Sequence, residues 1–315
     1  MYNSQNVVYS LMWKKMKRCF GGKNPNKEIL VIDYPCDKEG LGSIAKCTFT
    51  HIMWMTGHGY IPVINLHNYP NQYLNDPGEN MWEYFFDPVS SVTVDEAYES
   101  KHVIIATESD ISWHDVEINP YQREYMNQLA GNADFRKIVK FNSVTRQYID
   151  AKMPKEIREG KRVLGVVMRG TDFRKEVAVR YHKEWRKDVV DPNIFLKVCS
   201  YYKDELKCEY IFLATEDAEY FEMAQKFFGE KLLSVEQKRT AYNFANMENI
   251  NLNEAMGQKD GRTAGRDYLA VIQGLVECSS LIYNVKCGAV WLAELWKPDQ
   301  YELVRCIDKN WEKEI

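Results

Sequence analysis

The sequence predicts an α/β protein built as two domains that face one another. Three observations carry that prediction. Short β-rich runs alternate with longer amphipathic stretches along the whole chain, the pattern of parallel sheets with crossover helices. One run, Arg162 to Met168 (RVLGVVM), is almost wholly apolar, as a strand becomes when both faces of its sheet are covered. The alternation is interrupted at Glu159-Gly160-Lys161, and 315 residues at roughly 100–200 per domain leave room for two. The expected division is residues 1–155 and 156–315.

In the first domain, Lys27 to Tyr34 (KEILVIDY) reads as a buried strand ended by Pro35. The turn Glu39-Gly40-Leu41-Gly42-Ser43 leads into a helix from Ile44 to about Thr56, stopped by Gly57-His58-Gly59. Tyr60 to Leu66 is the next strand, completing a β-loop-α-β unit, and His102 to Thr107 is another. Asn142 to Lys155 is polar and helical in character. In the second domain, the Arg162–Met168 strand is followed by a helix over Pro192–Leu206 and a strand over Tyr210–Ala214. Thr215 is placed to cap a helix from Glu216 to Phe228, with acids in its first turn. Asp267 to Cys278 carries a helical apolar stripe, Leu281 to Tyr283 is a short strand, and Ala289 to Trp296 a last core helix.

Composition narrows the function classes. The 41 basic and 45 acidic residues give a net charge of −4, which disfavours a general nucleic-acid binder. The eight cysteines form no CxxC pair, and the six histidines no HExxH, so neither a zinc ribbon nor a zinc hydrolase is indicated. The N-terminus runs apolar first and basic second, the reverse of a secretory signal, and no stretch approaches 18 continuous apolar residues. The expectation is a soluble, cytoplasmic protein. Its first 20 residues fit either a packed terminal helix or a basic amphipathic helix on the inner face of a membrane.

In open α/β sheets, ligands sit outside the carboxyl ends of the strands. After the apolar strand comes Arg169-Gly170-Thr171-Asp172. A guanidinium there, followed by glycine, can reach a phosphate bidentately, and Asp172 can hold that arginine or a substrate hydroxyl. A turn with a local ion pair is the plainer alternative. Gly40-Leu41-Gly42, between a strand and a helix, offers a second anion site through the free N–H groups of the helix start. It lacks the third glycine of a dinucleotide fingerprint, so NAD binding is not favoured, and simple turn glycines remain open.

The ordered set of motifs resembles the α1,6- and NodZ-like fucosyltransferases, within the wider group of α1,2-, α1,6- and protein O-fucosyltransferases, in a bacterial polysaccharide version. Glu39-Gly40-Leu41-Gly42-Ser43 and Trp82-Glu83-Tyr84-Phe85-Phe86-Asp87-Pro88-Val89-Ser90 are similar to the family's N-terminal segments. Val167-Met168-Arg169-Gly170-Thr171-Asp172 resembles its His-Val-Arg-Arg-Thr-Asp motif, and Phe212-Leu213-Ala214-Thr215-Glu216-Asp217 its Leu-Ala-Thr-Asp-Asp strand end. Asp267 and the helix into Leu281-Ile282-Tyr283 resemble its last motif.

The resemblance implies a GT-B fold, two Rossmann-like domains facing across a cleft, with an N-terminal acceptor side and a C-terminal nucleotide-sugar side. It implies an inverting, metal-independent fucosyltransferase using GDP-fucose, with no cofactor and an oligosaccharide or lipid-linked glycan as acceptor. Carried over, Arg169 binds the β-phosphate and neutralises charge on departing GDP. Asp267 sits near guanine or ribose, Thr215 and Asp217 line the nucleotide side, and Gly40 and Gly42 approach the pyrophosphate. Val167, Gly170, Glu216 and Cys287-Gly288 depart from the family pattern. The base that deprotonates the acceptor is Glu176 or Asp172; a salt-bridge role for Glu176 among Arg174, Lys175 and Arg180 is equally open. Trp82, Tyr84, Phe85 and Phe86 read as core rather than a sugar-stacking shelf. Another nucleotide sugar on the same scaffold, or a non-catalytic glycan- or nucleotide-binding protein, are the alternatives.

Overall fold

A computed structural model describes residues 17–33, 40–57, 59–67, 72–106, 135–174, 189–240, 259–309 and 311. The chain forms two compact units. The first comprises residues up to Glu39 and Ser43–Thr145, and the second Arg146–Ile315 together with Gly40–Gly42.

The first unit is built on a four-stranded sheet of order β1-β4-β2-β3. β2 (Ile29–Ile32), β3 (Ile61–Ile64) and β4 (Val103–Ala106) are parallel, and β1 (Lys17–Arg18) runs antiparallel beside β4. β2 is buried along its whole length, which is why KEILVIDY shows no polar alternation where it forms the strand. Helix α1 (Leu41–Gly57) joins β2 to β3 and begins at Leu41, ahead of the expected Ile44. Ile29, Val31, Val63, Val92, Ala97 and Val103 form one cluster of the core. A short helix over Val94–Ala97 belongs to it, started by a capping box between Thr93 and Glu96. Trp82, Tyr84, Phe85 and Phe86 are all buried, with Trp82 stacked on Phe86 at 4.3 Å. They are core, as expected.

The second unit carries a five-stranded sheet, wholly parallel, of order β7-β6-β5-β8-β9. Its strands are β5 (Val163–Val167), β6 (Tyr210–Ala214), β7 (Leu232–Leu233), β8 (Ser280–Tyr283) and β9 (Val304–Cys306). The chain steps from β5 through β6 to β7 in one direction, then crosses to lay β8 and β9 on the other side of β5. That reversal makes the carboxyl ends of β5 and β8 the switch point of the sheet, the place where doubly wound folds bind ligands.

The longer helices of this unit are α2 (Ser143–Lys152, which crosses the unit boundary), α3 (Pro192–Glu205), α4 (Ala218–Phe228), α5 (Gly261–Glu277) and α6 (Gly288–Trp296). Asp191 caps α3 with Pro192 following it, a combination that satisfies orphan N–H groups and presets the first helical φ. α5 packs Gly274 against the buried ring of Phe212 on β6, so closely that an added Cβ would lie 2.7 Å from Cε1.

Three expectations change. α4 is capped by Asp217 rather than Thr215, because the Asp217 carboxylate accepts from the N–H groups of Glu219 and Tyr220. α5 begins at Gly261 with Asp260 as its cap, well before Asp267. Lys17 and Arg18, expected in a terminal helix, pair as a strand with β4; residues 1–16 of that expectation lie outside the described residues. The edge strands β7 and β9 were not anticipated, being two and three residues long. Among the described residues, no helix is long and apolar enough to cross a membrane.

Candidate active site

The switch point of the second sheet is where the sequence places Arg169. β5 ends at Val167, and Asn284 follows β8 directly. The Asn284 amide reaches across from one strand end to the other and holds the backbone of Arg169 on both sides. Its Oδ1 accepts from the Arg169 N–H at 2.8 Å, and its Nδ2 donates to the Arg169 carbonyl at 2.9 Å. With both its N–H and its carbonyl bonded to Asn284, the main chain at Arg169 is fixed in place.

The side chain is set from the third strand end. Glu216, just past β6, meets the Arg169 guanidinium at 2.9 Å and also accepts from the Gly170 N–H and the Thr171 hydroxyl. The guanidinium lies over the Phe173 ring, 4.8 Å from its centroid. Arg169 is thus held by groups from β5, β6 and β8 while 18% of its side chain stays exposed, an arginine that is both ordered and reachable. Cys287 stands at the N-cap position of α6, with no side-chain capping hydrogen bond. Burial pushes its thiol pKa up, while the Arg169 charge and the N–H groups of Val290 and Ala289 oppose the shift. The helix start and the guanidinium therefore act on the same small region, and both favour an anion.

The turn that carries Arg169 is strained. Thr171 is wholly buried and has φ +46°, a region that a β-branched residue adopts rarely. Such a backbone costs of order 1–3 kcal/mol and persists only when its surroundings enforce it. Here they do: the Thr171 N–H donates to Asp217 Oδ2 at 2.9 Å and its hydroxyl to Glu216 at 2.9 Å.

Asp217 is the anchor of this arrangement. Its carboxylate has no exposed surface. It accepts from Thr171, from Glu219 and Tyr220 at the start of α4, and from Arg174 through Nε at 2.8 Å and a terminal nitrogen at 2.6 Å. Burial alone would raise its pKa, but the Arg174 guanidinium and the backbone donors outweigh it and hold the carboxyl below its ordinary value. Arg174 in turn lies over Tyr220 at 4.5 Å and reaches Glu219. Gly170 is required here: a Cβ would stand 2.6 Å from the Asp217 Cβ and 2.7 Å from its Cγ.

The structure sorts the expected residues as follows. Arg169 stands at the switch point. Asp217 and Thr215 serve the turn from within: Thr215 is 3% exposed, and its hydroxyl accepts from the Asp217 N–H. Asp172 lies in the strained turn, and its side chain falls outside the described residues, as does Glu176 altogether. Asp267, on α5, accepts at Oδ1 from the Tyr148 hydroxyl at 2.7 Å and pairs with Lys152 at 3.1 Å, tying α5 to α2. Gly40 is exposed, and Gly42 is buried beside Tyr268 and Gly288. Asn284 and the clamping part of Glu216 were missed. Glu216 was within a legible motif; Asn284 has no motif, and only its place just after a strand marked it.

No protein-family model matches the sequence, and no curated protein matches it. Solved structures do. The chain is similar to NodZ α-1,6-fucosyltransferase soaked with GDP-fucose at 16% identity and a TM-score of 0.51, over 86% of this chain and 94% of that one. The fucosyltransferase NodZ from Bradyrhizobium matches with 16% identity and TM-score 0.51, over 87% and 95%. NodZ co-crystallised with GDP gives 16% and 0.51, over 87% and 94%. The two-domain α/β fold of this chain is accordingly GT-B-like, the fold of the fucosyltransferase NodZ.

Proposed function

We propose that this protein is a glycosyltransferase that moves fucose from GDP-fucose to a hydroxyl of a glycan acceptor, with inversion and without a metal. The observation that carries the reading is Arg169, clamped by Asn284 and Glu216 at the sheet's switch point beside the start of α6. It gains weight because the fold is that of a protein solved with GDP and with GDP-fucose.

In the proposed reaction, a carboxylate, Glu176 or Asp172, removes the proton of the acceptor hydroxyl. The oxygen attacks the anomeric carbon of fucose from the face opposite GDP, and the bond from that carbon to the β-phosphate oxygen breaks. Arg169 and the α6 N-terminus stabilise the charge that collects on the leaving diphosphate, the work a divalent cation does in other transferases. Gly40, Gly42, Thr215, Asp217 and Asp267 remain the proposed contacts to the donor. A cytoplasmic place in polysaccharide assembly, with an oligosaccharide or lipid-linked acceptor, follows from the same reading.

The test is release of the nucleoside diphosphate from a panel of nucleotide sugars supplied with a panel of glycan acceptors, with and without a chelator. The expected result is release from GDP-fucose, none from UDP- or ADP-sugars, and a rate unchanged by EDTA. Preference for another nucleotide, or loss of activity on chelation, would overturn the corresponding part of the proposal.

A further inference from the structure

Arg239 is a guanidinium without a counter-charge among the described residues. It lies on the loop that follows β7, and that loop is tied down on the carboxyl end of β6. The Thr240 N–H donates to the Glu216 carbonyl at 2.9 Å, and the Ala218 N–H to the Thr240 carbonyl at 3.0 Å. Gln237 Nε2 donates to the Thr215 carbonyl at 3.3 Å. The loop thus stands at the strand ends where open α/β sheets hold ligands, across β6 from the strand that carries Arg169.

Two other arginines of this unit show how a guanidinium drawn into the protein is held. Arg174 has Asp217 and Glu219, and Arg169 has Glu216. Arg239 is half-buried as well, but its contacts are all with neutral groups. Nη2 donates to the Val235 carbonyl at 3.2 Å, and Nη1 approaches the Gln237 carbonyl at 3.5 Å. The ring of Phe221, on α4, has its centroid 3.7 Å from the guanidinium carbon. The Nε–H is closed off from solvent and has no partner. Burial, with no carboxylate to oppose it, pushes the Arg239 pKa down to about 10, whereas pairing raises that of Arg174. At neutral pH the group is still charged. A charge taken out of water without a counter-ion lowers stability, and its retention calls for an explanation.

The Val235 and Gln237 carbonyls and the Phe221 face hold the side chain in one orientation, so a ligand need not order it. Each terminal nitrogen carries two N–H groups and spends one, which leaves one on each to donate. Two such donors on a planar fork match two oxygens of one anion. No carboxylate among the described residues acts on Arg239 to repel that anion. A phosphate ester, with a charge of about −1.5 to −2 at neutral pH, gains more from an unpaired guanidinium than a carboxylate does. We infer that Arg239 forms a phosphate-binding subsite at the carboxyl ends of β6 and β7, in addition to the diphosphate position proposed at Arg169. Free phosphate and a phosphate ester present the same group to it. The inference does not depend on which nucleotide sugar, if any, Arg169 serves.

Thermal unfolding of the full chain is followed with inorganic phosphate or glucose 1-phosphate added, against sodium chloride at matched ionic strength and glucose as controls. Arg169→Ala is the background, so that the donor position does not contribute. Both phosphates are expected to raise the midpoint, and the one that acts at the lower concentration tells whether the group is bound free or as an ester. Adding Arg239→Met, which keeps the bulk and removes the charge, is expected to weaken binding about ten- to a hundredfold, as loss of a hydrogen bond to a charged group does. The same substitution is expected to leave the unliganded midpoint unchanged or raised, because no unpaired charge is then buried. An arginine kept only for the fold would lower it. Phosphates that stabilise the Arg239→Met protein as fully as the background, no response to either phosphate, or an Arg239→Met protein that melts well below its background or does not fold, would overturn the subsite. A phosphate response that depends on Arg239, in a chain that GDP fails to stabilise even with Arg169 present, would uphold the subsite and overturn the donor assignment instead.

Discussion

Gly170 and Arg174 are two parts of one local solution. The missing side chain at 170 makes room for the Asp217 carboxylate, and Arg174 supplies the charge that neutralises it. The pair is buried, with Arg174 9% exposed and Asp217 not at all, so removing one partner strands the other. Arg174→Ala is expected to cost about 3–5 kcal/mol. The contact from Arg174 to the exposed Glu219 adds little to that. The sign of the pH effect follows. Asp217 has a folded pKa below its unfolded one. Its contribution is complete above the unfolded value of about 3.9 and is lost as pH falls through the folded value. Arg174→Ala raises the folded pKa, so acid unfolding followed by circular dichroism is expected to begin at higher pH than in the parent. A coincident acid transition would contradict the pairing.

At the scale of elements, the buried strands and the long amphipathic helices were legible in the sequence, and the edges were not. β5 and β6 read clearly because they are covered on both faces, whereas β7 and β9 are too short to show a period. The α4 cap was misplaced by two residues because Thr215 and Asp217 are both good capping residues, and only the geometry of the turn chooses Asp217. In the site, Arg169 was legible from its strand end. Asn284 was not, because an asparagine after a strand has many uses and its contact with Arg169 spans 115 residues of chain. Asn284→Ala removes both hydrogen bonds that hold the part-buried Arg169 backbone and is expected to cost about 1–3 kcal/mol. It should also slow transfer at least about tenfold by loosening Arg169; a variant destabilised yet fully active would show that the clamp serves the fold alone. Gly274 gives a converse case. Alanine there gains about 1 kcal/mol of helix propensity, but its methyl meets the buried Phe212 ring, and such overpacking costs typically 1–3 kcal/mol. Thermal melts of Gly274→Ala are expected to show a net loss.

At the scale of the whole molecule, each unit places polar chemistry at the carboxyl ends of its parallel strands. The second sheet carries a fixed guanidinium beside a helix start, and the first carries the hydrogen-bonded group of Asp33, Asn65, Tyr98 and His67. Net charge and composition excluded broad classes from the sequence alone, but these polar groups appear only when strand order brings residues distant in sequence to one sheet end.

The central claim is that Arg169 binds the diphosphate of a guanine nucleotide. It is tested most directly by thermal unfolding of the parent and of Arg169→Ala with GDP, GDP-fucose, UDP, ADP and NAD added separately. A ligand at 100 times its dissociation constant adds about 2.7 kcal/mol, enough to move the midpoint by several degrees. The account predicts a shift in the parent with GDP and GDP-fucose only, and little or none in Arg169→Ala, whose unliganded midpoint stays near that of the parent. A parent that responds to UDP, ADP or NAD instead, or an Arg169→Ala protein that GDP stabilises as fully as the parent, would contradict it.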